Sequence, residues 1–174
     1  YNNPAFMAFQ MATAAPYKLN WKTGEDKLLI VSVGTGSAPD ERNDLEEGDL
    51  WLLDHAKNIP SALMNAASAG WDMTCRVLGH CRFGSSIDRE FGDMVVEKGS
   101  NPNWTGTKLF SYVRYDPDVT QKGLNALGLN DIESKNVTQL DSIKHIEDIQ
   151  KVGTTFAGMY VNLEHFGPFI KTQD

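Results

Sequence analysis

The sequence predicts an α/β domain in which a mostly parallel sheet is flanked by helices. Three observations predict this class. An apolar helix begins at Asn3-Pro4, a continuous apolar run over residues 28–33 ends in Gly34-Thr35-Gly36, and the last third of the chain has helical periodicity. Continuous Leu, Ile and Val runs closed by glycine are typical of strands in parallel sheets, which helices cover on both faces.

Length and composition fit one domain with a real core. The chain has 174 residues, of which 41% are apolar. Its 16 basic and 23 acidic residues give a net charge of −7, which argues against nucleic-acid or anionic-membrane binding through bulk charge. No stretch approaches the roughly 20 apolar residues of a transmembrane span. We expect a cytoplasmic protein, and the two cysteines fit a reducing compartment.

The first predicted helix runs from Pro4 to Ala15. Asn3 suits its N-cap, Pro4 is tolerated at the first helical position, and Pro16 stops it. The helix is apolar nearly all round, so we expect it to be buried.

Residues 27–33 form the first predicted strand, buried on both faces. A buried helix that leads into a buried parallel strand is the second half of a βαβ unit, whose first strand would precede Tyr1. We therefore expect residues 1–174 to be the C-terminal portion of a single α/β domain whose first half is missing.

The middle of the chain predicts an acidic solvated loop over residues 37–48, without the carboxylate spacing of a calcium loop. A helix over residues 49–57 ends at Pro60, and a second helix covers residues 61–80. The second helix carries an apolar stripe of Leu63, Ala67, Trp71, Cys75 and Leu78. If Cys75 and Cys81 share this helix, their side chains point to different faces, so no disulfide is expected between them.

Two short apolar runs predict further strands, over residues 93–97 and 108–115, with an exposed loop over residues 98–107 between them. A turn follows at Asp116-Pro117-Asp118. The tail predicts one long helix from a capping box at Thr138 and Asp141 to Leu163, ended by Gly167-Pro168.

No complete catalytic or cofactor motif is present. Gly-x-Ser-x-Gly, P-loop, His-Glu-x-x-His and Cys-x-x-Cys patterns are all absent. Gly34-Thr35-Gly36 lacks the third glycine of a dinucleotide fingerprint and predicts a tight turn at the carboxyl end of a strand. Such ends line active sites in open α/β sheets.

Other candidate sites are weaker. His80 lies beside Cys81 and near Cys75, but adjacent side chains on a helix diverge by about 100°, so we expect no metal site. His145 and His165 are placed on the long helix as exposed or hydrogen-bonded residues. The tripeptides at Asn103 and Asn136 match glycosylation acceptors, as chance matches often do.

An ordered set of motifs resembles the C-terminal half of a patatin-like phospholipase domain. Asn2-Asn3-Pro4-Ala5 opens the first helix, and Leu28-Leu29-Ile30-Val31-Ser32-Val33-Gly34-Thr35-Gly36 follows it. In that family, a helix beginning near Asn-Pro follows a catalytic Asp-Gly-Gly or Asp-Gly-Ala, and the next strand ends in a similar glycine signature. Val113-Arg114-Tyr115 and the approach to the last helix, Asp131 to Asp141, also fit.

The resemblance implies a three-layer fold and hydrolysis of lipid acyl esters by a Ser–Asp dyad. It implies no metal and no cofactor. The family's glycine-rich loop, serine and aspartate all precede Tyr1, so no catalytic, cofactor-binding or metal-binding residue can be assigned in this chain. Residues 1–3 and Gly34-Thr35-Gly36 would lie near the site. The implied partners are an acyl-lipid substrate and the missing N-terminal half of the domain, with self-association of the chain alone.

Two other interpretations stay open. The chain could belong to a non-enzymatic α/β binding or scaffolding module that shares the architecture without the dyad. A Rossmann-like nucleotide binder would rest only on Gly34-Thr35-Gly36. A Gly-x-Ser-x-Gly motif further upstream, with Asp-Gly just before Tyr1, would favour the hydrolase.

Overall fold

A computed structural model describes residues 2–38, 52–87, 90–95, 106–139 and 143–170. It has the predicted α/β class, with a three-stranded parallel sheet in the order β1-β3-β2 flanked by helices. The strands are β1 (Leu29–Val33), β2 (His80–Phe83) and β3 (Ser111–Tyr115). The helices are α1 (Ala5–Thr13), α2 (Leu52–Leu78), α3 (Gln121–Ala126), α4 (Ser134–Val137) and α5 (Ile146–Tyr160). Short 3-10 segments cover Ala15–Tyr17 and Leu163–Phe169.

The central strand β3 is buried along its whole length. Because side chains alternate along a strand, Tyr112 and Arg114 face one side of the sheet, and Val113 and Tyr115 face the other. Tyr112 and Arg114 lie opposite Ile30 and Ser32 of β1 in the parallel register. This confirms a strand within predicted residues 108–115.

Each face of the sheet has its own core. On the first face, α1 and α2 pack over Ile30 and Tyr112, and the rings of Phe6 and Trp71 stack with centroids 5.3 Å apart. On the second face, Val113 and Tyr115 pack against residues of the C-terminal helices, including Leu124, Val152 and Phe156. Among the described helices, none combines the length and apolar character needed to cross a membrane.

The prediction that the first strand is buried on both faces is wrong. Ile30 and Ser32 are buried, whereas Val31 and Val33 are 42% and 75% exposed. The reason is that Ile30 belongs to the core on the first face, whereas the core on the second face includes neither Val31 nor Val33, so the described helices leave that side of β1 uncovered at these two residues. The first helix is also buried on one face rather than all round, and Met11 is 44% exposed.

Pro60 does not divide the middle helices as predicted, because α2 continues through it from Leu52 to Leu78. A proline removes one backbone hydrogen bond locally, and the helical pattern resumes immediately after it. The helix ends before the predicted His80. A Cβ at Gly79 would lie 2.5 Å from Phe110 Cε2, so the chain turns at a glycine and enters β2, which the sequence did not predict.

The strand predicted over residues 93–97 is wrong for its described part, 93–95, which has no strand structure. The carbonyl of Asp93 accepts a hydrogen bond from the Arg76 guanidinium instead of a strand partner. Residues 96–97, the acidic loop from residue 39 onward, and residues 98–105 of the predicted loop lie outside the described residues.

The single long C-terminal helix is also wrong. Thr138 follows α4, and its hydroxyl donates to the Ser134 carbonyl at 3.1 Å rather than capping a new helix. Residues 140–142 lie outside the described part, and α5 begins at Ile146. Beyond α5, the Asn162 side chain accepts a hydrogen bond from the Glu164 N–H at 3.0 Å and caps the 3-10 segment that contains Leu163 and Gly167.

Candidate functional site

The carboxyl ends of β1 and β3 meet at a polar cluster centred on Asp116. Its carboxylate accepts hydrogen bonds from the Gly36 N–H at 3.0 Å and the Ser37 hydroxyl at 2.6 Å. Arg114 Nη2 donates to the same carboxylate at 2.8 Å, with both side chains largely buried. The aspartate therefore fastens the turn after β1 to the end of β3, 80 residues further along the chain.

The glycines of this turn are required by its geometry. A Cβ at position 34 would overlap Asp116 Oδ1 and lie 2.9 Å from Arg114 Nη2. Gly36 has φ +105°, a left-handed conformation that favours glycine, and a Cβ there would lie 2.7 Å from Val119 Cγ1. Gly34-Thr35-Gly36 is thus the predicted tight turn, wrapped closely around the Asp116 carboxylate.

A buried hydrogen-bond chain joins this cluster to the start of α1. Arg114 Nη1 donates to Ser32 Oγ at 2.7 Å, and Ser32 Oγ donates to Asn3 Oδ1 at 3.1 Å. Asn3 Oδ1 also accepts from the Ala5 N–H at 3.2 Å. Asn3 therefore satisfies a free N–H of the first helical turn, as a capping residue does, although the N-cap itself is Pro4.

The network continues beneath α2. Tyr112 Oη donates to Asp72 Oδ1 at 2.9 Å, and Arg76 donates to both oxygens of Asp72 at 3.1 and 2.7 Å. Burial, reinforced by the Asp72 charge, raises the pKa of Tyr112, and Asn3 opposes this shift. Burial lowers the pKa of Arg76, but the hydrogen bonds and charge of Asp72 outweigh it and leave the pKa above its usual value.

Asn3 Nδ2 is the one buried side-chain nitrogen or oxygen among the described residues that has no hydrogen-bond partner. Asn3 is only 1% exposed and lies between the Ser32 branch and Tyr112. A buried amide donor without an acceptor lowers the stability of the fold.

The opposite face carries a tyrosine–histidine pair. Tyr115 Oη lies 2.9 Å from His165 Nδ1, and the His165 ring stacks on Phe83 with centroids 4.3 Å apart. Burial lowers the pKa of His165, against a smaller opposing effect of Glu164. The imidazole is therefore neutral near pH 7, and the tautomer decides whether its Nδ1 accepts the hydrogen bond from the Tyr115 hydroxyl or donates to it. His165 lies in the 3-10 segment and not on α5, whereas His145 is the N-cap of α5 and contacts Asp148.

A cavity of about 280 Å³ opens beside this pair, between α5 and the carboxyl ends of β1 and β3. Its lining includes Val33, Thr35, Tyr115, Val152 and Gly153. In parallel α/β sheets, ligands bind at the carboxyl ends of the strands, so the cavity lies where a ligand is expected.

The predicted site residues separate into those the fold brings together and those it does not. Asn3 and Gly34-Thr35-Gly36 share one edge of the sheet, linked through Ser32, Arg114 and Asp116. Tyr1 lies outside the described residues. In the sequence these three linking residues were assigned to a strand, a family motif and a turn and not to a site, although a serine and an arginine within apolar strand runs are an available signal.

His80, Cys75 and Cys81 are close in the sequence but belong to two different elements of the fold. His80 and Cys81 lie on β2 and Cys75 on α2, and His80 Nδ1 contacts Glu25 Oε2 at 2.8 Å. Both cysteines are free and buried, and burial raises the pKa of Cys75 to about 12 and of Cys81 to about 11. Within the described ranges, no three His, Cys, Asp or Glu side chains form a group that could hold a metal ion.

The structure describes one of the two tripeptides that match glycosylation acceptors. Asn136 lies in the short helix α4, and residues 103–105 fall outside the described part of the chain.

Comparison with protein-family models, with curated protein sequences and with solved structures gave no match.

Proposed function

We propose that this chain is the C-terminal part of the catalytic domain of a patatin-like lipid acyl hydrolase. In this proposal, a Ser–Asp dyad in the preceding polypeptide hydrolyses acyl esters of phospholipids or related lipids. One observation carries it. The hydrogen bond from Ser32 Oγ to Asn3 Oδ1, 3.1 Å long, joins the two sequence segments on which the family resemblance rests.

The topology supports a dyad at this edge. Both α1 and α2 pack on the same face of the sheet, and α2 connects β1 to β2, two positions away across β3. Crossovers between parallel strands are right-handed, so two crossovers on one face advance across the sheet in the same direction. A strand that precedes α1 would then pair with the outer edge of β1, and its carboxyl end would approach Asn3 and Gly34.

A carboxylate in that position could serve as the base of a dyad. In the proposed mechanism it takes the proton of a serine hydroxyl, and the serine oxygen attacks the ester carbonyl. The ester C–O bond then breaks, the alcohol leaves with that proton, and water hydrolyses the acyl-serine to release the fatty acid. The residues of this chain hold the surrounding edge rigid rather than react. The charges of Arg114 and Asp116 compensate each other within the cluster. Hydrogen bonds through Ser32 connect Arg114 to Asn3 at the start of α1.

The test uses a longer polypeptide that includes residues 1–174. We expect an Asp followed by Gly within about ten residues before Tyr1. Changing that Asp to Asn keeps its shape and removes the base, so p-nitrophenyl ester hydrolysis should fall by most of its value while Tm changes little. The chain of residues 1–174 alone should give no turnover above buffer.

Two results would overturn the proposal. One is near wild-type activity in the Asp→Asn variant, and the other is the lack of any Asp in those ten residues. Either result would favour the alternative of a non-enzymatic α/β binding module. Esterase turnover by residues 1–174 alone, free of contaminating esterase, would contradict the assignment of the dyad to the preceding polypeptide.

A further inference from the structure

Ser32 is a buried polar residue within the apolar run of β1. It is 7% exposed, and its hydroxyl accepts a hydrogen bond from Arg114 Nη1 at 2.7 Å and donates one to Asn3 Oδ1 at 3.1 Å. A buried hydroxyl without partners would be costly, and these two bonds satisfy it. Ser32 therefore connects β3 to the start of α1, two elements that are far apart in the sequence.

The direction of these hydrogen bonds is fixed by their chemistry. A guanidinium can only donate, so the Ser32 hydroxyl accepts from Arg114 and uses its single proton to donate to Asn3. The N–H of Ala5 also donates to Asn3 Oδ1, at 3.2 Å. A flipped Asn3 amide would set its NH2 group against both donors. Ser32 and Ala5 together thus hold the Asn3 side chain in one orientation.

Arg114 holds a second segment at the same edge of the sheet. Its Nη2 donates to the Asp116 carboxylate at 2.8 Å, and that carboxylate accepts from the Gly36 N–H at 3.0 Å. One guanidinium therefore fixes the turn after β1 and, through Ser32, the start of α1. In the proposed function, these two segments flank the carboxyl end of the preceding strand, where the base of the dyad would lie.

We propose that Ser32 is a positioning residue for ester hydrolysis, acting through Asn3 on the main chain that leads into α1. This role rests on the proposed function. Without the hydroxyl, the Asn3 amide loses one of the two donors that orient it. The main chain before α1 is then held less firmly, and small displacements of a reacting group slow catalysis strongly. Because ester binding does not depend on this geometry, the loss should appear in kcat rather than in KM.

A matched control lies at the opposite edge of the sheet. Ser111, the first residue of β3, is fully buried, accepts a hydrogen bond from Arg82 Nε at 2.8 Å and donates to the Glu25 carbonyl at 2.6 Å. Its hydroxyl thus has the same kinds of partner as that of Ser32, an arginine and a carbonyl oxygen. Ser111 is at the amino end of its strand, away from the edge that carries Asn3.

The experiment compares Ser32→Ala with Ser111→Ala in the longer polypeptide used to test the dyad. Each change removes one buried, doubly bonded hydroxyl, so both should lower Tm, measured by circular dichroism, by a similar few degrees. The kinetics of p-nitrophenyl ester hydrolysis should separate them. Ser32→Ala should lower kcat at least tenfold with KM within twofold of wild type, and Ser111→Ala should leave both within twofold.

A second variant tests whether Ser32 acts through Asn3. Asn3→Ala removes the group that Ser32 orients and should lower kcat at least as much as Ser32→Ala does. In the Asn3→Ala background, Ser32→Ala should change kcat less than twofold further, because the two residues act as one coupled pair. Additive losses of kcat would overturn the proposal, and so would full kcat in Asn3→Ala, which also provides the test if Ser32→Ala does not fold.

The outcomes separate this role from the proposed function. If hydrolysis requires the upstream Asp but Ser32→Ala loses no more kcat than Ser111→Ala, the hydrolase stands and Ser32 serves the fold alone. A rise in KM at unchanged kcat would likewise refute the positioning role. If the wild-type polypeptide hydrolyses no ester, the proposed function fails, and the role of Ser32 in it fails with it.

Discussion

The carboxylate of Asp116 occupies the space in which a side chain at Gly34 would begin. A Cβ at position 34 would overlap Asp116 Oδ1, and Arg114 Nη2 would lie 2.9 Å away. The carboxylate cannot swing aside without losing its bonds to Arg114, the Gly36 N–H and the Ser37 hydroxyl. The glycine after β1 is therefore fixed by a residue at the end of β3.

Replacing Gly34 by alanine should destabilise the protein. We expect Gly34→Ala to lower the free energy of unfolding by about 2 kcal/mol, in the range for overpacking a tight site. The measurement is urea unfolding. Gly70→Ala is the matched control, because a Cβ at Gly70 meets no atom within 4 Å. It should raise the stability slightly, by roughly 0.5–1 kcal/mol, since Gly is unfavourable within a helix.

A double variant identifies the source of the Gly34→Ala cost. If the clash with the carboxylate is responsible, Gly34→Ala should cost much less in an Asp116→Ala background than in wild type. If Gly34→Ala lowers the unfolding free energy equally in both backgrounds, the clash with the Asp116 carboxylate is not the cause.

The buried pair of Asp72 and Arg76 should be sensitive to removal of one partner. Asp72→Ala leaves the guanidinium of Arg76, a residue that is 3% exposed, without its carboxylate. We expect a loss of about 3–5 kcal/mol in unfolding free energy, typical of a buried charge that loses its partner. Tyr112→Phe removes one hydrogen bond to Asp72 and should cost less, about 1–2 kcal/mol.

The control for Asp72 is an exposed ion pair. Asp131 contacts Lys151 at 2.8 Å, and their side chains are 69% and 50% exposed. Asp131→Ala should leave the urea midpoint unchanged within error, because exposed ion pairs contribute little. Similar losses in the Asp72 and Asp131 variants would contradict the buried network.

His165 should make the stability depend on pH. Burial lowers its folded-state pKa below the ordinary value of 6.5. As pH falls, the unfolded chain binds the proton first, so stability decreases below about pH 6.5 and levels off below the lowered folded-state pKa. Protonation makes His165 Nδ1 a donor only, so the Tyr115 hydroxyl can no longer donate a hydrogen bond to it. Urea midpoints measured between pH 7.5 and 5 should fall less in His165→Gln than in wild type, and an equal fall would exclude this role.

The exposed valines of β1 should promote association of the chain expressed alone. Val31 and Val33 are 42% and 75% exposed, on a strand with one neighbour among the described residues. Open strand edges with apolar side chains favour pairing with other chains, and lysine opposes it. We expect light scattering to detect oligomers of residues 1–174, and Val33→Lys to reduce them.

The matched control for this lysine is at Leu63, which is 65% exposed on α2. Leu63→Lys adds the same charge away from the strand edge and should leave the oligomers in place. A compact wild-type monomer at all concentrations, or equal effects of the two lysines, would refute the edge as the site of association.

Local patterns in the sequence predicted part of this structure. The run over residues 28–33 predicted β1, the aromatic and β-branched run before Asp116 predicted β3, and Gly34-Thr35-Gly36 predicted a turn between strand and loop. Each of these patterns consists of residues that are close together in the sequence. The strand β2 was missed because His80–Phe83 has neither an apolar run nor a clear alternation, and its pairing with β3 stabilises it.

Local sequence patterns are enough to predict the α/β class, the two strands that carry the site and the glycine turn, because backbone preferences and apolar patterning act locally. The contacts of Ser32 with Asn3 and Arg114, which lie 29 and 82 residues away, form only when the domain folds. The same holds for the face of β1 that is covered and for the place where the cavity beside α5 opens. Such contacts depend on the packing of the whole domain, which no local pattern specifies.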